Sequence, residues 1–388
     1  MPTAFEWPSL GSWSPWVVKP PSLVMVVREG RAGYALTHSI NWRCFVAAVR
    51  CISLLVVLVV VSSCSTAEAG EGKISGQVFG DYYYVIANNA PLFEDQNGFW
   101  FRRIYFTYDN ALNDDFSSRF RLEMNSPGDF TGSSKLEPFI KDMYLQYTVG
   151  KTQVLLGFSS SPIWGQTVEN SWGYRHLEKT PLDLHKMGSS RDFGLAVKGK
   201  VAEDKVGYHV MIGNGASTGT ETNKYKQVQG ALVVYPTPGF LIEAFGDYRG
   251  GRFETSVSTV QGFAAYTRDA WRAGILFAHQ VRSSPGGDLE LDVGSAYVVV
   301  KVSGVVSLLV RADRMFDPNP AGFTISYIPF DPSAKSTLLL GGVDFGDVAS
   351  GVHVIPNLEV VVYDEIEGSP GNTPDTDVIG RVTFYWKF

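Results

Sequence analysis

The sequence is poor in cysteine, in charge and in long apolar runs, and each shortage excludes a class of protein. All three cysteines lie at or before Cys64, which excludes a thiolate nucleophile, a cysteine-ligated zinc site and a disulfide framework from the rest of the chain. Charged residues make up 19% of the 388, the net charge is −6 and no basic run occurs, so the composition argues against nucleic-acid binding. Aromatic residues, at 13%, are plentiful, and a chain so apolar is not a disordered one.

The longest apolar run, 54–61, indicates an export signal. Basic residues precede the run, and small residues follow it up to an A-x-A cleavage site at 67–69. The run is shorter than the ~20 residues that a membrane-spanning helix needs. We therefore predict an N-terminal extension and signal peptide over 1–69 and a mature chain over 70–388.

Two other interpretations of this segment stay open. The sequence Val61-Ser62-Ser63-Cys64 also has the form of a lipoprotein signal, in which Cys64 would carry the lipid, and the apolar run would also serve as a membrane anchor. Residues 1–42 are longer than the start of an ordinary signal peptide. Removal of 1–69 leaves 28 basic and 36 acidic residues, a net charge of −8.

From residue 73 onward, apolar and polar residues alternate in segments of strand length. The C-terminus shows this most clearly, because Phe388, Trp386 and Phe384 fall on one face while Lys387 and Arg381 fall on the other. Successive side chains of a strand point to opposite faces of the sheet, so each segment has one apolar and one polar face. We predict sixteen strands, over 73–87, 98–110, 115–126, 137–149, 152–160, 190–201, 205–214, 225–236, 239–249, 253–268, 270–282, 288–302, 304–316, 335–347, 351–364 and 376–388.

The connectors between these strands alternate in length. Those after even-numbered strands are tight turns, and most of those after odd-numbered strands are longer, with 161–189 the longest. An even strand count with short turns at one rim and long loops at the other is typical of outer-membrane barrels. We therefore predict an all-β fold, a transmembrane antiparallel β-barrel of about 16 strands over 70–388. The alternative is a soluble β-sandwich, which would need shorter strands and a dry core.

Several short motifs resemble those of the general bacterial porins. They are the opening 76–83, the segment 101–106, the loop 172–181 running to 189–194, and the terminal Phe388. The sequence is most similar to the large family that is grouped with the phosphate-selective porins O and P. The predicted channel face departs from that family's rich lysine and arginine lining, because it also carries acids, among them Asp81, Glu243, Asp247, Glu290, Asp292, Asp344 and Glu359.

The resemblance implies that the long loop between strands 5 and 6 folds into the barrel and narrows it. Charges of both signs at such a constriction would set the size limit and the ion preference. The candidate residues of the loop and of the facing wall are Arg103, Arg119, Arg121, Glu123, Asp142, Glu169, Arg175, His176, Glu178, Lys179 and Arg381. The alternatives are an ordinary surface loop with solvated charges and wall arginines that pair with Glu123 and Asp142.

These observations favour a porin, a passive diffusion channel for small hydrophilic solutes and ions, anions such as phosphate among them. The resemblance further implies a bacterial outer-membrane location, a homotrimer and recognition of Phe388 by the barrel-assembly machinery. No cofactor is implied. Two alternatives are a plugged structural or binding barrel and an outer-membrane hydrolase, although no Ser-His pairing is recoverable from the sequence. The spacing of His176, Glu178, Asp183 and His185 matches no metal-ligand pattern.

Overall fold

A computed structural model describes residues 72–130, 132, 135–163, 167–349 and 351–388 of this chain. The predicted signal peptide, its cleavage site and the three cysteines lie outside the described residues. Within the described ranges, no helix is both long enough and apolar enough to cross a membrane.

The described chain forms one closed barrel of sixteen antiparallel strands. Each strand pairs with its neighbours in the sequence, and β1 pairs with β16 to close the ring. All sixteen predicted strands are confirmed, and their ends fall within three residues of the predicted ends. The bounds are β1 Gly72–Ala87, β2 Asn97–Ala111, β3 Phe116–Met124, β4 Phe139–Val149, β5 Thr152–Ser160, β6 Arg191–Val201, β7 Val206–Gly213, β8 Gln227–Thr237, β9 Phe240–Gly250, β10 Ser256–Arg268, β11 Trp271–Ser283, β12 Leu289–Lys301, β13 Val306–Met315, β14 Ser336–Ala349, β15 Val352–Tyr363 and β16 Asp377–Lys387.

The two rims of the barrel differ as the connector lengths predict. Tight turns join β4 to β5 and β8 to β9, and both chain ends of the barrel lie at this short-turn rim. Gly150 occupies a left-handed conformation in the first of these turns, with φ 56°, where a side chain would be strained. The longer loops gather at the opposite rim. The loop between β5 and β6 contains two short helices, α1 Thr167–Trp172 and α2 Pro181–Leu184. Single 3₁₀ turns lie at Pro91–Phe93 and Gly322–Thr324 in two other loops.

Alternate residues of each strand face outward as an apolar surface. Ile275 of β11 and Val310 of β13 are 63% and 58% exposed, whereas their sequence neighbours on the inward face, Leu276 and Leu309, are buried. An apolar exterior on a closed sheet, in which every strand pairs on both edges, is the arrangement that a lipid environment requires. The same phase corrects one expectation, because Glu290 and Asp292 of β12 lie on the outward phase near the long-loop rim and not on the channel face.

Two β-bulges place extra charges inside the barrel. Between β1 and β2 the register passes from Arg103 opposite Phe79 to Phe101 opposite Gly80, so Arg102 has no partner residue. Between β3 and β4 the register passes from Asp142 opposite Arg121 to Ile140 opposite Leu122, so Lys141 has no partner residue. A bulge reverses the alternation locally, and adjacent charged residues on each strand therefore both turn inward.

Two loops from the long-loop rim pack into the interior. We call residues 161–190 the long loop and residues 316–335 the second loop. Trp172 and Leu177 of the long loop are buried against inward side chains of β8 to β15. Tyr327 and Ile328 of the second loop are buried against β1, β2, β15 and β16. The loops occupy different sectors of the barrel interior, and no sequence pattern predicted the inward position of the second loop.

Candidate functional site

The long loop is bound to the inner wall by backbone and side-chain contacts on several strands. Arg311 of β13 donates a hydrogen bond of 2.6 Å to the carbonyl oxygen of Lys179, and Arg272 of β11 donates one of 3.1 Å to that of Trp172. The hydroxyl of Tyr174 lies 3.0 Å from a carboxylate oxygen of Asp344 on β14. These contacts hold the loop against a wall far from β5 and β6, the strands that it connects.

An apolar interface fixes the same loop to one half of the barrel. The α1 helix contacts β10 and β11, and α2 contacts β12. The Trp172 ring packs on Tyr297 at a centroid distance of 5.2 Å, and Phe263 and Leu276 belong to the same buried cluster. Burial of apolar surface stabilises the folded state by roughly 25 cal/mol per Å², so the wholly buried Trp172 contributes strongly to holding the loop against the wall.

A buried ionic network joins the long loop, β1, β2, β15 and β16. Arg102 pairs with Glu178, and its guanidinium also lies 3.7 Å from Asp81 and 3.8 Å from Glu359. Arg381 pairs with Glu359 at 2.9 Å and with Asp81 at 3.4 Å. The two arginines and three carboxylates are almost completely buried, where an unpaired charge would cost several kcal/mol.

The second loop covers this network with Tyr327. The tyrosine ring lies over the guanidinium of Arg102 at 4.9 Å and against Trp100 at 5.0 Å, and its hydroxyl donates to the carbonyl oxygen of Ser126 at 2.7 Å. Its backbone has φ 75°, a conformation that residues other than glycine rarely adopt and that the surrounding contacts must stabilise. The second loop therefore closes the sector of the interior beside β1, β2, β15 and β16.

The predicted arginines of the wall form a line of ion pairs on β2, β3 and β4. Arg103 lies 2.8 Å from Glu123, and the ammonium of Lys141 forms a second ion pair with the same carboxylate at 2.9 Å. Arg121 lies 3.4 Å from Asp142, a residue that the loop-proximal Arg191 of β6 also contacts. In the same sector, Arg119 pairs with Asp109 at 2.6 Å. Arg103 and Arg121 thus have the carboxylate partners that the alternative named, whereas Arg119 pairs with Asp109 instead.

The long loop turns its own charges toward this wall. Arg175 lies 3.5 Å from Glu169 and 3.6 Å from Asp183. Burial alone would raise the pKa of Asp183, but the charges of Lys179, Arg175, Lys141 and Arg103 hold it below its ordinary value. Burial lowers the pKa of Lys179 to about 8, although Asp183 opposes the shift. Loop and wall charges therefore interact across the space that separates them.

Two histidines of the long loop are buried as neutral groups. Burial lowers the pKa of His176 to about 3, with nearby cations adding to the effect, and lowers that of His185 to about 4. His176 stacks on Tyr385 of β16 at a centroid distance of 4.4 Å. Across the described part of the chain, no group of three His, Cys, Asp or Glu side chains is placed to hold a metal ion.

A cavity lies between β5 to β9 and the α1 end of the long loop. Its volume is about 490 Å³, and its lining includes Lys198 and Lys200 of β6, His209 of β7 and Asn170 of α1. A second opening of about 330 Å³ lies beside Arg119 at the short-turn rim.

The predicted site residues fall into two groups. Arg103, Arg119, Arg121, Glu123, Asp142, Glu169, Arg175 and Lys179 lie on the wall of β2 to β4 and the loop surface that interacts with it. Arg381 and Glu178 lie in the buried network, and His176 lies against Tyr385. The alternation of the sequence did not predict Arg102 and Lys141 as inward residues, because only the bulges turn them inward. The one sequence feature that pointed to them was a charged residue directly next to a charged residue predicted to face inward.

Comparison with known proteins adds information about the fold. The sequence matches no protein-family model and no curated protein. The structure is similar to an anion-selective porin from Comamonas acidovorans, with a TM-score of 0.60 and 12% identity over 83% of this chain and 100% of that chain. It is also similar to Salmonella typhi OmpF in complex with daunomycin, with a TM-score of 0.59 and 9% identity over 82% and 98%. A mutant of the Rh. blastica porin gives a TM-score of 0.55 and 13% identity over 82% and 100%.

Proposed function

We propose that this chain is an outer-membrane porin, a passive diffusion channel for small hydrophilic solutes and ions. The observation that carries the proposal is the closed sixteen-stranded barrel, apolar outside, with charged and partly exposed side chains around an internal cavity. A sheet of this size is wide enough to enclose an aqueous channel, whereas one of about eight strands is filled by its own side chains. Its likeness to solved porins supports the fold on which the proposal rests.

One exposed arginine of the wall favours anions. The side chain of Arg121 is 24% exposed, whereas those of Glu123 and Asp142 beside it are 2% and 3% exposed. Arg119 is 31% exposed but is balanced by its partner Asp109, which is 37% exposed, so Arg121 supplies the accessible positive charge of this wall. One of the similar structures is described as an anion-selective porin, which agrees with this polarity. Selectivity for phosphate in particular does not follow from it.

The site residues act in this proposal by shape and charge. Arg103, Arg119 and Arg121 supply the basic wall, and Glu169, Arg175 and Lys179 supply the facing charges of a constriction formed by the long loop. Glu178, His176 and Arg381 hold that loop in position. No residue changes covalently, and no energy source is needed, because solutes move down their own gradients.

The remaining features of the proposal concern location and assembly. The signal at 1–69 would direct export, and Phe388, at the end of the last strand, would be read by the barrel-assembly machinery. The Phe388 ring is 63% exposed and packs over Gly76, so it remains accessible on the barrel exterior. The bacterial outer membrane is the proposed location, with outer-membrane lipid around the barrel, and a homotrimer is the proposed assembly.

A solute-flux measurement tests the proposal. Proteoliposomes with the mature chain, 70–388, should swell in isotonic solutions of small uncharged sugars, and the rate should fall steeply as solute size increases. Liposomes without protein are the control. Swelling rates equal to that control for every solute would reject the porin proposal.

The second loop favours one further candidate, a plugged structural or binding barrel. Tyr327 and Ile328 are almost completely buried inside the barrel and seal one sector. If the plug extends across the whole interior, solutes will not cross in the wild-type protein. Deletion of 320–330 would then start solute flux, whereas a porin already conducts before the deletion.

A further inference from the structure

The cavity beside β5 to β9 contains a lysine that forms no ion pair with any described residue. Lys198 lies on the inward face of β6, directly opposite Gln153 of β5 and His209 of β7. The next strand places Ala231 opposite His209. This row of four inward residues therefore carries one ammonium group, one imidazole and no acid.

Lys198 differs from the arginines near it in having no partner. Arg119 and Arg191, which act on it electrostatically, each form an ion pair with an aspartate. Within the described ranges of the chain, Lys198 has neither an ion pair nor a hydrogen bond, and the Nε2 atom of His209 is buried without a hydrogen-bond partner. A buried donor or acceptor without a partner is costly unless something else occupies the site.

The acidic residue of the same cavity is already engaged. Glu243 of β9 accepts a hydrogen bond of 3.2 Å from Gln261 and a further one from Thr167 at the start of α1. Lys200 lies over the ring of Tyr235 at 5.2 Å. Neither group reaches the ammonium of Lys198, which leaves that charge for a bound molecule.

Uncharged hydrogen-bonding groups face the cavity from two sides. Gln153 belongs to the β5 wall and Asn170 to α1 of the long loop, and the side-chain amides of both have no partner within the described part of the molecule. An amide offers both donors and acceptors, which is the requirement for binding hydroxyl groups. The volume of about 490 Å³ lies within the usual range for small-molecule sites, ~300–1,000 Å³.

We propose that this cavity binds a small hydroxylated anion, a sugar acid or a sugar phosphate, on its way through the barrel. The anionic group lies against Lys198 and His209, and hydroxyl groups lie between Gln153 and Asn170. The proposal rests on the proposed channel function, since the ligand must enter the interior. A carboxylate and a phosphate both fit the ammonium of Lys198 and the unpartnered imidazole nitrogen of His209, and the ligand class they define is an anionic group on a hydroxylated chain.

Binding to the detergent-solubilised mature protein, measured by isothermal titration calorimetry, tests the site without relying on conduction. Gluconate and glucose 6-phosphate should each bind at least tenfold more tightly than acetate, inorganic phosphate or glucose, because only they present both chemical features. Comparison of gluconate with glucose 6-phosphate identifies the favoured anionic group. Equal affinity for gluconate and acetate, or binding of phosphate compounds alone, inorganic phosphate included, would overturn the proposal.

Substitutions test separately the part of the site that binds the anionic group and the part that binds the hydroxyl groups. Lys198→Gln should weaken gluconate binding at least tenfold, and Asn170→Ala should reduce the preference for gluconate over acetate. Lys224→Gln, at an exposed lysine of the loop between β7 and β8, is the matched control and should change neither. Unchanged gluconate affinity in Lys198→Gln, with heat-modifiable electrophoretic mobility intact, would contradict the proposal. If liposomes with wild-type protein do not swell but gluconate still binds, the channel function fails and the site stands.

Discussion

The guanidinium of Arg381 donates a hydrogen bond of 2.5 Å to the backbone carbonyl oxygen of Tyr327. The last strand of the barrel thereby holds the tip of the second loop. Arg381 also pairs with Glu359 and Asp81, so one side chain links the loop to two of the three carboxylates of the buried network. Loop position and network charge balance are consequently coupled.

Substitution of Arg381 should therefore destabilise the barrel and release the second loop. Arg381→Met leaves Asp81 and Glu359 with less compensation in a buried environment, where loss of one partner costs about 3–5 kcal/mol. We expect a lower thermal unfolding temperature in detergent and faster proteolysis within 316–335. Arg314→Met removes a partly exposed pair with Asp364 and is the control, with an expected change below about 1 kcal/mol. Equal effects of the two substitutions would contradict the coupling.

The close approach of β1 and β2 at the bulge requires a glycine. A Cβ atom on Gly80 would lie 2.2 Å from the backbone oxygen of Trp100, so Gly80→Ala must displace the strand and disturb Arg102. Such overpacking costs about 1–3 kcal/mol. A Cβ on Gly341 of β14 meets nothing within 4 Å, and Gly341→Ala should be neutral. Thermal unfolding of both variants in detergent tests this, and a neutral Gly80→Ala would show that the bulge tolerates displacement.

Acid should weaken the packing of the long loop through His176. The folded protein holds the pKa of this buried imidazole at about 3, against about 6.5 when unfolded. Between those values the unfolded state binds more protons, so stability falls as the pH falls from 6.5 toward 3, by at most about 1.4 kcal/mol per pH unit. His185 adds to the loss in the same direction.

The variant His176→Gln isolates that contribution. It should lose less thermal stability than the wild type between pH 7 and pH 4.5, because its side chain does not titrate. Thermal unfolding followed by circular dichroism at both pH values gives the comparison. An unchanged pH dependence in the variant would show that other groups cause the acid sensitivity.

Reversal potentials test the basic wall. Arg121→Gln removes an exposed charge but leaves Asp142 paired with Arg191, so the barrel should fold and its preference for anions should fall in a salt gradient. Arg268→Gln, at an exposed arginine that ends β10 at the short-turn rim, is a control that should leave the reversal potential unchanged. A preference unaffected by Arg121→Gln would remove this wall from the selectivity argument.

Alternation of apolar and polar residues was sufficient to predict the strands, because one outward apolar face is a local property of each segment. It failed at Arg102 and Lys141, since a bulge depends on the register with a neighbouring strand. Glu290 and Asp292 were also misassigned, because they keep the outward phase of β12 near the long-loop rim, and their polarity alone had suggested the channel face. The inward position of Tyr327 depends on contacts with Arg381 and Ser126, which are distant in sequence, and no local pattern encodes such contacts.

Single-channel recording in planar lipid bilayers tests the central claim most directly. The mature chain should produce discrete conductance steps at low voltage. The steps should persist with the salt of any small anion, because the barrel encloses water beside the basic wall of Arg103, Arg119 and Arg121. A correctly folded, heat-modifiable protein that inserts into bilayers and gives no steps at any voltage would contradict the account and would favour a plugged barrel.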